Sequence, residues 1–253
     1  MDNSWLDRSK GMCYSQTHAP LQKMFARGVP FNPITNTMTT SPPPRGRPRD
    51  PERMKRVLEA AAQQFCTLGF ERTSMGAVAL AAGVSKVTIY SYFPSKELLF
   101  EAAVGSYTDQ VFANLPPEIL DPQQPALALS RIGEQFLQLI HSDAAIGIFR
   151  ALLGSAGQQN SACQLFYRRG PHTLTLQVAH YLQQAQQAGT LTLNDPIIAA
   201  DQFLSLLMGC SHLQSLFGVA TPSQEQQQQI LQQGVSFFLN ACSNRSETSQ
   251  NRR

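Results

Sequence analysis

Hydroxyl, phenol and ammonium groups recur between residues 73 and 96, at spacings that two short helices and the turn between them would bring to one surface. Such side chains donate hydrogen bonds to phosphate oxygens and to base edges, and the ammonium groups also attract the phosphate charge. Lys86 and Thr88 are expected to face base edges or phosphate, whereas Tyr90, Tyr92 and Lys96 are expected to position a nucleic-acid backbone. The full set of candidate contacts in this stretch is Thr73, Ser74, Ser85, Lys86, Val87, Thr88, Tyr90, Ser91, Tyr92 and Lys96.

The residues around these groups predict a helix, a turn and a second helix. Ser74 can cap the first helix, because its hydroxyl accepts a backbone N–H that the opening turn leaves free. Gly83 stands where that helix must stop, since glycine takes a positive φ without steric cost, and Ser85 is a second cap. The helix from Lys86 to Tyr92 is too short to be stable alone, so its neighbours must carry it. This arrangement is typical of a helix presented to a major groove, although Gly83 alone would also suit an ordinary helical hairpin.

A basic arm precedes the first helix of this region. Arg45, Arg47 and Arg49 alternate with Gly and Pro, and Pro44 and Pro48 favour an extended backbone. Arms of this kind enter the minor groove beside other helix-turn-helix modules. The three arginines are therefore further candidates for DNA contact, and the alternative is a solvated run of charge.

Positive charge is concentrated on the same part of the chain. Residues 45–100 carry nine basic and five acidic side chains, whereas residues 101–253 carry seven basic and ten acidic ones, and the net charge of the whole chain is +3. Phosphate contact requires such a basic region. The acidic remainder argues against DNA wrapping around the whole molecule.

Several stretches of the region resemble the DNA-binding domain of the TetR family of bacterial transcriptional regulators. The resemblance covers roughly residues 51–104 and rests on Leu58-Glu-Ala-Ala-Ala-Gln-Gln-Phe65, Ala81-Ala-Gly-Val-Ser-Lys86 and Ile89-Tyr-Ser-Tyr-Phe-Pro-Ser-Lys-Glu-Leu-Leu-Phe100. It implies a homodimeric repressor that binds a palindromic double-stranded DNA operator and is released by a small, mostly apolar effector. Val87 and Ser91 depart from the family pattern on the base-reading surface, so no operator sequence is carried over.

The fold is predicted to be all-α, with an N-terminal three-helix helix-turn-helix DNA-binding domain followed by a larger helical domain for ligand binding and dimerisation. From about residue 124 the apolar residues have helical spacing, and no period-two stretch is long enough for a sheet. The predicted division is a disordered N-terminal extension (1–44), the basic arm (45–50), the TetR-type domain (51–111), the ligand-binding and dimerisation domain (112–242) and a disordered tail (243–253). Met38 is expected to be the natural start, which would make residues 1–37 an upstream extension.

Two sets of apolar residues in the larger domain are candidates for its functions. For the effector pocket that the resemblance implies between the middle helices, the candidates are Phe136, Ile140, Phe149 and Phe166. For a dimer interface built from the last two helices as a four-helix bundle, the candidates are Met208, Leu213, Phe217, Ile230 and Phe238. Ordinary core packing is the alternative for both sets.

Other classes of function have little support in the sequence. It has no GxSxG, HExxH, Walker A or GxGxxG motif, so an enzyme is not expected. The five cysteines show no CxxC or Cys/His ligand spacing, so neither a metal nor a cofactor is expected. The cysteines are expected to be reduced thiols in a cytoplasmic protein. Apolar runs fall short of the roughly 20 residues that span a bilayer, so no membrane partner is expected. The remaining alternative is an all-helical oligomeric scaffold or binding protein without DNA recognition.

Overall fold

The computed structural model describes residues 50–154 and 161–242, and every regular element in these ranges is helical. In chain order the helices are α1 (Pro51–Arg72), α2 (Met75–Ala81), α3 (Lys86–Tyr92), α4 (Lys96–Ala113), α5 (Pro125–Ile140), α6 (Asp143–Leu153), α7 (Ser161–Tyr167), α8 (Thr173–Gln187), α9 (Pro196–Phe217) and α10 (Gln224–Cys242), with a 3-10 turn at Pro117–Leu120 and a π-helical segment at Arg168–His172. The predicted all-α fold is confirmed. The predicted extension, tail and arm residues 45–49 lie outside the described residues.

Serine caps and glycines set the ends of the first helices. The hydroxyls of Ser74, Ser85 and Ser95 each accept the backbone N–H three residues later, at 3.1, 3.1 and 3.3 Å, as the sequence predicted for the first two. Gly83 has a φ of 65°, and Gly69 has a φ of 77° where α1 breaks before its last residues. The helical hairpin is therefore encoded locally, by one hydroxyl or one glycine at each boundary.

The first apolar core joins the helix-turn-helix to the rest of the molecule. The rings of Phe65, Phe70 and Phe100 pack together, with centroids 4.9 to 5.9 Å apart. Ile148 and Leu152 of α6 belong to the same buried cluster. Because α6 lies far along the chain from α1, the core around the helix-turn-helix includes part of the second half of the chain.

The second apolar core lies among α5, α8, α9 and α10. Its fully buried side chains include Leu129, Ile132, Leu182, Phe203 and Leu207. Helix α9 is broken at Gly209, where φ is 48°. In the described part of the chain, no single helix has the length and hydropathy to cross a membrane, although α5 and α6 meet those criteria together as a pair bent by 59°.

A π-helical segment at Arg168–His172 joins α7 to α8 without a break. The chain stays helical through Gly170 and Pro171, and the turn widens instead of ending. Proline lacks a backbone N–H and cannot continue the usual hydrogen-bond pattern, which accounts for the widening. Arg168 and Arg169 at this segment form ion pairs with Glu101 and Asp109 of α4, so the segment is fastened to α4.

Helices α1 and α6 are in close contact at Cys66 and Gly147. A β-carbon added at Gly147 would overlap the Sγ atom of Cys66 and would lie 3.2 Å from its Cβ. The absence of a side chain at Gly147 therefore allows α1 and α6 to pack closely at this point.

We expect Gly147→Ala to destabilise the protein by about 1–3 kcal/mol, because the new methyl group has no room at this contact. Chemical denaturation monitored by circular dichroism measures the change. Gly154→Ala, at the end of the same helix, is the matched control: its new β-carbon would meet nothing closer than 3.6 Å, so the effect should stay within about 0.5 kcal/mol. Adding Cys66→Ala should recover part of the loss, and an unchanged loss in the double variant would show that the sulfur is not the obstacle.

Candidate functional site

Helix α3 is held in place by its inner side. Ile89 is fully buried, and Phe93, which follows the helix, is 8% exposed and lies in the same cluster. The Ser85 cap and the bond from the Phe93 N–H to the Ile89 carbonyl (2.8 Å) fix the two ends. A helix of seven residues is thus kept folded by packing and capping, as its length requires.

The outer side of α3 is open to solvent. Val87 is 81% exposed and Tyr90 is 50% exposed, and Lys86 and Ser91 are exposed as well. This face offers an ammonium, a phenol, a hydroxyl and an apolar methyl pair. These are the groups that contact phosphates, base edges and thymine methyls in a major groove.

The hydroxyls of this motif already have partners inside the protein. Ser85 and Thr88 share a hydrogen bond of 2.9 Å between their side chains, and the Ser91 hydroxyl donates to the Thr88 carbonyl at 2.7 Å. Thr88 and Tyr92 are only partly exposed. The hydroxyl oxygens can still accept bonds, so these residues lie at the edge of the open face and contribute to its shape.

Gly76 of α2 makes room for the Lys86 side chain. A β-carbon at Gly76 would lie 2.9 Å from the Cε atom of Lys86 and 3.5 Å from its ammonium nitrogen. The lysine stem therefore crosses α2 at this point. Glycine in a helix costs up to about 1 kcal/mol relative to alanine. The space that the Lys86 side chain needs explains why a glycine stands at this position of α2.

Lys96 is engaged at the junction of α1 and α4. Its ammonium donates to the Glu71 carbonyl at 3.1 Å and lies 4.5 Å from the centroid of the Phe70 ring. Hydrogen bonds from the Glu97 backbone N–H and the Ser95 hydroxyl lower the pKa of the neighbouring Glu97 carboxyl. An ammonium has three donors, so Lys96 can add a phosphate contact, but part of its capacity is used within the protein.

Thr73 is not available to a nucleic acid, and its predicted role as a contact is corrected. Its side chain is 3% exposed, and its hydroxyl donates to the carbonyls of Gly69 (2.7 Å) and Gln64 (3.1 Å). Thr73 therefore closes the end of α1, whose carbonyls lose their helical partners at the Gly69 break. The candidate arm residues Arg45, Arg47 and Arg49 lie outside the described residues.

The structure brings the four candidate effector residues together. Phe136, Ile140, Phe149 and Phe166 all line one cavity of about 150 Å³ between α4, α5, α6, α8 and α9 and the end of α7. The sequence indicated these residues without showing that they meet. Their convergence depends on the packing of helices that are distant in the chain.

His212 of α9 is a cavity residue that sequence reasoning missed. It is 3% exposed, and neither ring nitrogen makes a hydrogen bond in the structure. Burial lowers its pKa, and the nearby Ile140 backbone opposes only part of that shift. Its spacing of four residues from Met208, which lines the same cavity, is the signal that could have found it. Among the described residues, no three His, Cys, Asp or Glu side chains converge as a metal site would require.

The candidates for a dimer interface divide into exposed and buried residues. Leu213 is 51% exposed and Phe217 is 77% exposed, whereas Met208 and Ile230 are partly buried against the core. Phe238 is 4% exposed, with its ring 5.2 Å from that of Phe203. The prediction that Phe238 contacts a partner is therefore wrong, because its side chain is internal core.

The exposed ring on α10 belongs to the preceding residue, Phe237, which is 65% exposed. Leu206 and Val219 are also exposed, at 40% and 72%. A shift of one position turns a helical side chain by about 100°, so sequence periodicity alone separates such neighbours poorly.

Comparison with known proteins gives matches over both parts of the chain. Residues 57–103 match the family described as bacterial regulatory proteins of the tetR family, and residues 127–243 match the C-terminal domain of AefR-like transcriptional repressors. The solved structure of the flavonoid-responsive regulator FrrA is 35% identical, covers 78% of this chain and all of its own, and has a TM-score of 0.60. A TetR transcriptional regulator from Agrobacterium tumefaciens, 21% identical over 76% of this chain and 94% of its own with a TM-score of 0.62, shares the fold.

Curated relatives match over shorter stretches. The HTH-type transcriptional regulator YhgD of Bacillus subtilis (strain 168) is 37% identical over 76 residues, which is 30% of this chain and 36% of that protein. Two further relatives are matched over 52% and 55% of their length. This chain thus spans between about a third and about half of these curated relatives.

We expect Thr73→Val to lower stability by about 1–3 kcal/mol, because the substitution removes a buried donor from two carbonyls. Thr67→Val is the matched control on the same helix, since the Thr67 hydroxyl bonds to the Gln63 carbonyl at an exposed position and should matter little. Urea titration measures both variants. Duplex affinity of folded Thr73→Val should equal that of the unmodified protein, and a selective loss of affinity would restore Thr73 to the interface.

Proposed function

Because the chain belongs to the TetR family of bacterial transcriptional regulators, we propose that it is a homodimeric repressor of the cytoplasm, which binds a palindromic operator through α3 and leaves it when a small, mostly apolar molecule occupies the cavity. The observation that carries the proposal is the outer face of α3, which stays open while Ile89 anchors the inner face. The match to the C-terminal domain of AefR-like transcriptional repressors supports repression.

DNA contact is proposed to begin at the open face of α3. Lys86 and Tyr90 supply charge and hydrogen bonding, and Val87 supplies methyl groups of the kind that contact thymine. Lys96 and the three arginines of the arm would add contacts to the backbone. The basic excess of residues 45–100 supports this assignment, because counterion release from phosphates provides much of the affinity of such proteins.

The second copy is proposed to pack against the exposed sides of α9 and α10. A palindromic operator needs two reading helices about 34 Å apart, which a two-fold dimer supplies. Leu206, Leu213, Phe217 and Phe237 leave large apolar groups exposed on these helices. Clustered exposed apolar groups of this kind mark interaction sites on soluble domains, and two such helices from each copy would form a four-helix bundle.

Effector binding is proposed to act on α3 through α4 and α6. Phe100 of α4 is buried beside Phe65 and Phe70, and one turn later Val104 of the same helix lines the cavity. Ile148 of α6 likewise lines the cavity and packs into the first core. A ligand that prefers one position of these helices would change the separation of the two reading helices, provided that it binds the two states with different affinity.

A small organic effector is also supported by the comparisons. FrrA, whose whole solved chain is matched at 35% identity, is described as flavonoid-responsive. The cavity in this chain has a predominantly apolar lining with several aromatic rings. Both observations favour an organic molecule over an ion.

The salt dependence of duplex binding tests the reading helix. We expect Lys86→Ala to weaken binding to a duplex selected from a random pool and to reduce the slope of log affinity against log salt by about 0.9, because one phosphate contact is lost. Fluorescence anisotropy between about 50 and 200 mM salt gives both quantities.

Arg131→Ala is the control for charge, since Arg131 lies on α5 in an ion pair with Glu134 away from the reading helix. It should leave affinity and slope unchanged. An all-helical scaffold would retain no duplex at any salt concentration, and equal effects of the two substitutions would remove α3 from the proposal.

Sedimentation analysis tests the interface. We expect Leu213→Arg to raise the dissociation constant of the dimer at least about tenfold, because a buried charge without a partner opposes association. Leu153→Arg is the matched control, since Leu153 is 53% exposed on α6 and Leu213 is 51% exposed on α9. A dimer that survives Leu213→Arg but dissociates in Leu153→Arg would place the interface on another face.

A further inference from the structure

One polar side chain in the wall of the cavity is buried and without a partner. His212 lines the cavity and is only 3% exposed. Neither of its ring nitrogens makes a hydrogen bond in the structure. Nearly all buried polar groups in folded proteins are hydrogen-bonded. A buried ring nitrogen that has no hydrogen-bond partner in the structure, on a side chain that lines a cavity, can pair with a polar group of a molecule that enters the cavity.

The neighbours of His212 favour a neutral ring. Burial lowers the pKa of His212, and burial together with the presence of His212 lowers the pKa of His141. A neutral imidazole offers one donor and one acceptor. A hydroxyl group can both accept from and donate to such a ring, whereas a carbonyl can only accept.

The charges around the cavity disfavour an anion. No Lys or Arg is among the described residues that line it, and the acidic side chain there is Asp201. A carboxylate or phosphate in this position would be buried without a counter-charge, which is costly. The polar group of the ligand is therefore an uncharged one.

The remaining wall favours a flat ring. Phe149 meets His212 at 5.6 Å and Phe166 at 5.2 Å between centroids, nearly at right angles in both cases. Such edge-to-face geometry is the preferred packing of aromatic rings. A volume of about 150 Å³ is that of an apolar cavity known to hold one benzene molecule.

We propose that His212 determines effector specificity by hydrogen bonding to a neutral hydroxyl group on an aromatic ring, so that the effectors of this protein are phenols. The inference rests on the proposed function of the cavity as the effector site. Phe149 and Phe166 hold the ring of the ligand, and His212 reads its hydroxyl. An aromatic molecule of the same shape without the hydroxyl leaves the His212 ring unpaired and binds more weakly.

Two probes of nearly equal shape test this directly. They are 4-methylphenol and 1,4-dimethylbenzene, which differ by a hydroxyl in place of one methyl group. Calorimetry or competition binding on the full chain without DNA should give tighter binding of 4-methylphenol, and the ratio of the two affinities should fall at least about tenfold in His212→Phe. The ratio is compared between proteins, so the different hydration of the two probes cancels.

His141→Phe is the matched control. Its ring lies 5.9 Å from that of His212 and is also without a hydrogen-bond partner, but it lines the neighbouring groove between α1 and α6 and not the cavity. This variant should keep the preference for 4-methylphenol. His212→Gln, which retains a donor and an acceptor, should keep part of the preference and serves as the test if His212→Phe does not fold.

The outcomes separate this inference from the proposed function. Equal affinity ratios in the unmodified protein, His212→Phe and His212→Gln would overturn the role of His212 while leaving the cavity as an effector site. Loss of the preference in His141→Phe as well would also overturn it, because the effect would then not be specific to the cavity wall. Failure of both probes to bind the unmodified protein would overturn the cavity as a site for aromatic effectors and this inference with it.

Discussion

The stability of helix α3 depends on its contacts with the rest of the protein. Seven residues cannot hold a helix in water, so the burial of Ile89, the Ser85 cap and the packing of Phe93 must supply its stability. The same contacts fix which side faces outward. The exposure of Val87 and Tyr90 requires this anchoring to be rigid, and so does the proposed spacing of two copies on an operator.

The anchoring core is shared between the two halves of the chain. Phe100 and Val104 place α4 in the first core and at the cavity, and Ile148 does the same for α6. The contact of Cys66 with Gly147 leaves no room for a side chain between α1 and α6. Close-packed helices transmit displacement because their side chains have no free volume to absorb it. This packing supports the proposal that a ligand beside α4 and α6 acts on α3 at a distance.

The cavity combines aromatic walls with the ring of His212, whose nitrogens have no hydrogen-bond partner in the structure. Phe149 stands between Phe166 and His212, touching both through ring edges. Arg150, the next residue, donates to the carbonyls of Ser215 and Leu216 at 2.6 and 2.7 Å and so caps the end of α9. Phe149 and Arg150 therefore connect the cavity wall to the end of α9, where Phe217 is exposed. The proposed ligand contact at His212 and the proposed dimer surface thus lie toward the same end of α9.

The helices, the caps at Ser74 and Ser85 and the chemical groups on the outer face of α3 could all be predicted from the order of the residues. Ser74, Gly83 and Ser85 act through bonds to residues within a turn, so their roles are visible in the order of residues along the chain. Candidate cavity residues such as Phe136 and Phe149 were also visible as large apolar groups at helical spacing. Their helices, however, contain several such positions, and the sequence does not say which of them meet.

The packing of the helices was needed to show which of two adjacent side chains is buried and which is exposed. It placed Thr73 under the Gly69 break instead of at the surface, Phe238 in the core where Phe237 is exposed, and His212 at the cavity without a partner. Phe238 and His212 are placed by contacts with distant segments, at Phe203 and Phe149, whereas Thr73 is placed by the fold of the chain back onto the end of α1. Helix propensity and capping are local energies, whereas burial depends on how whole helices pack, and that is why the second kind of information required the folded molecule.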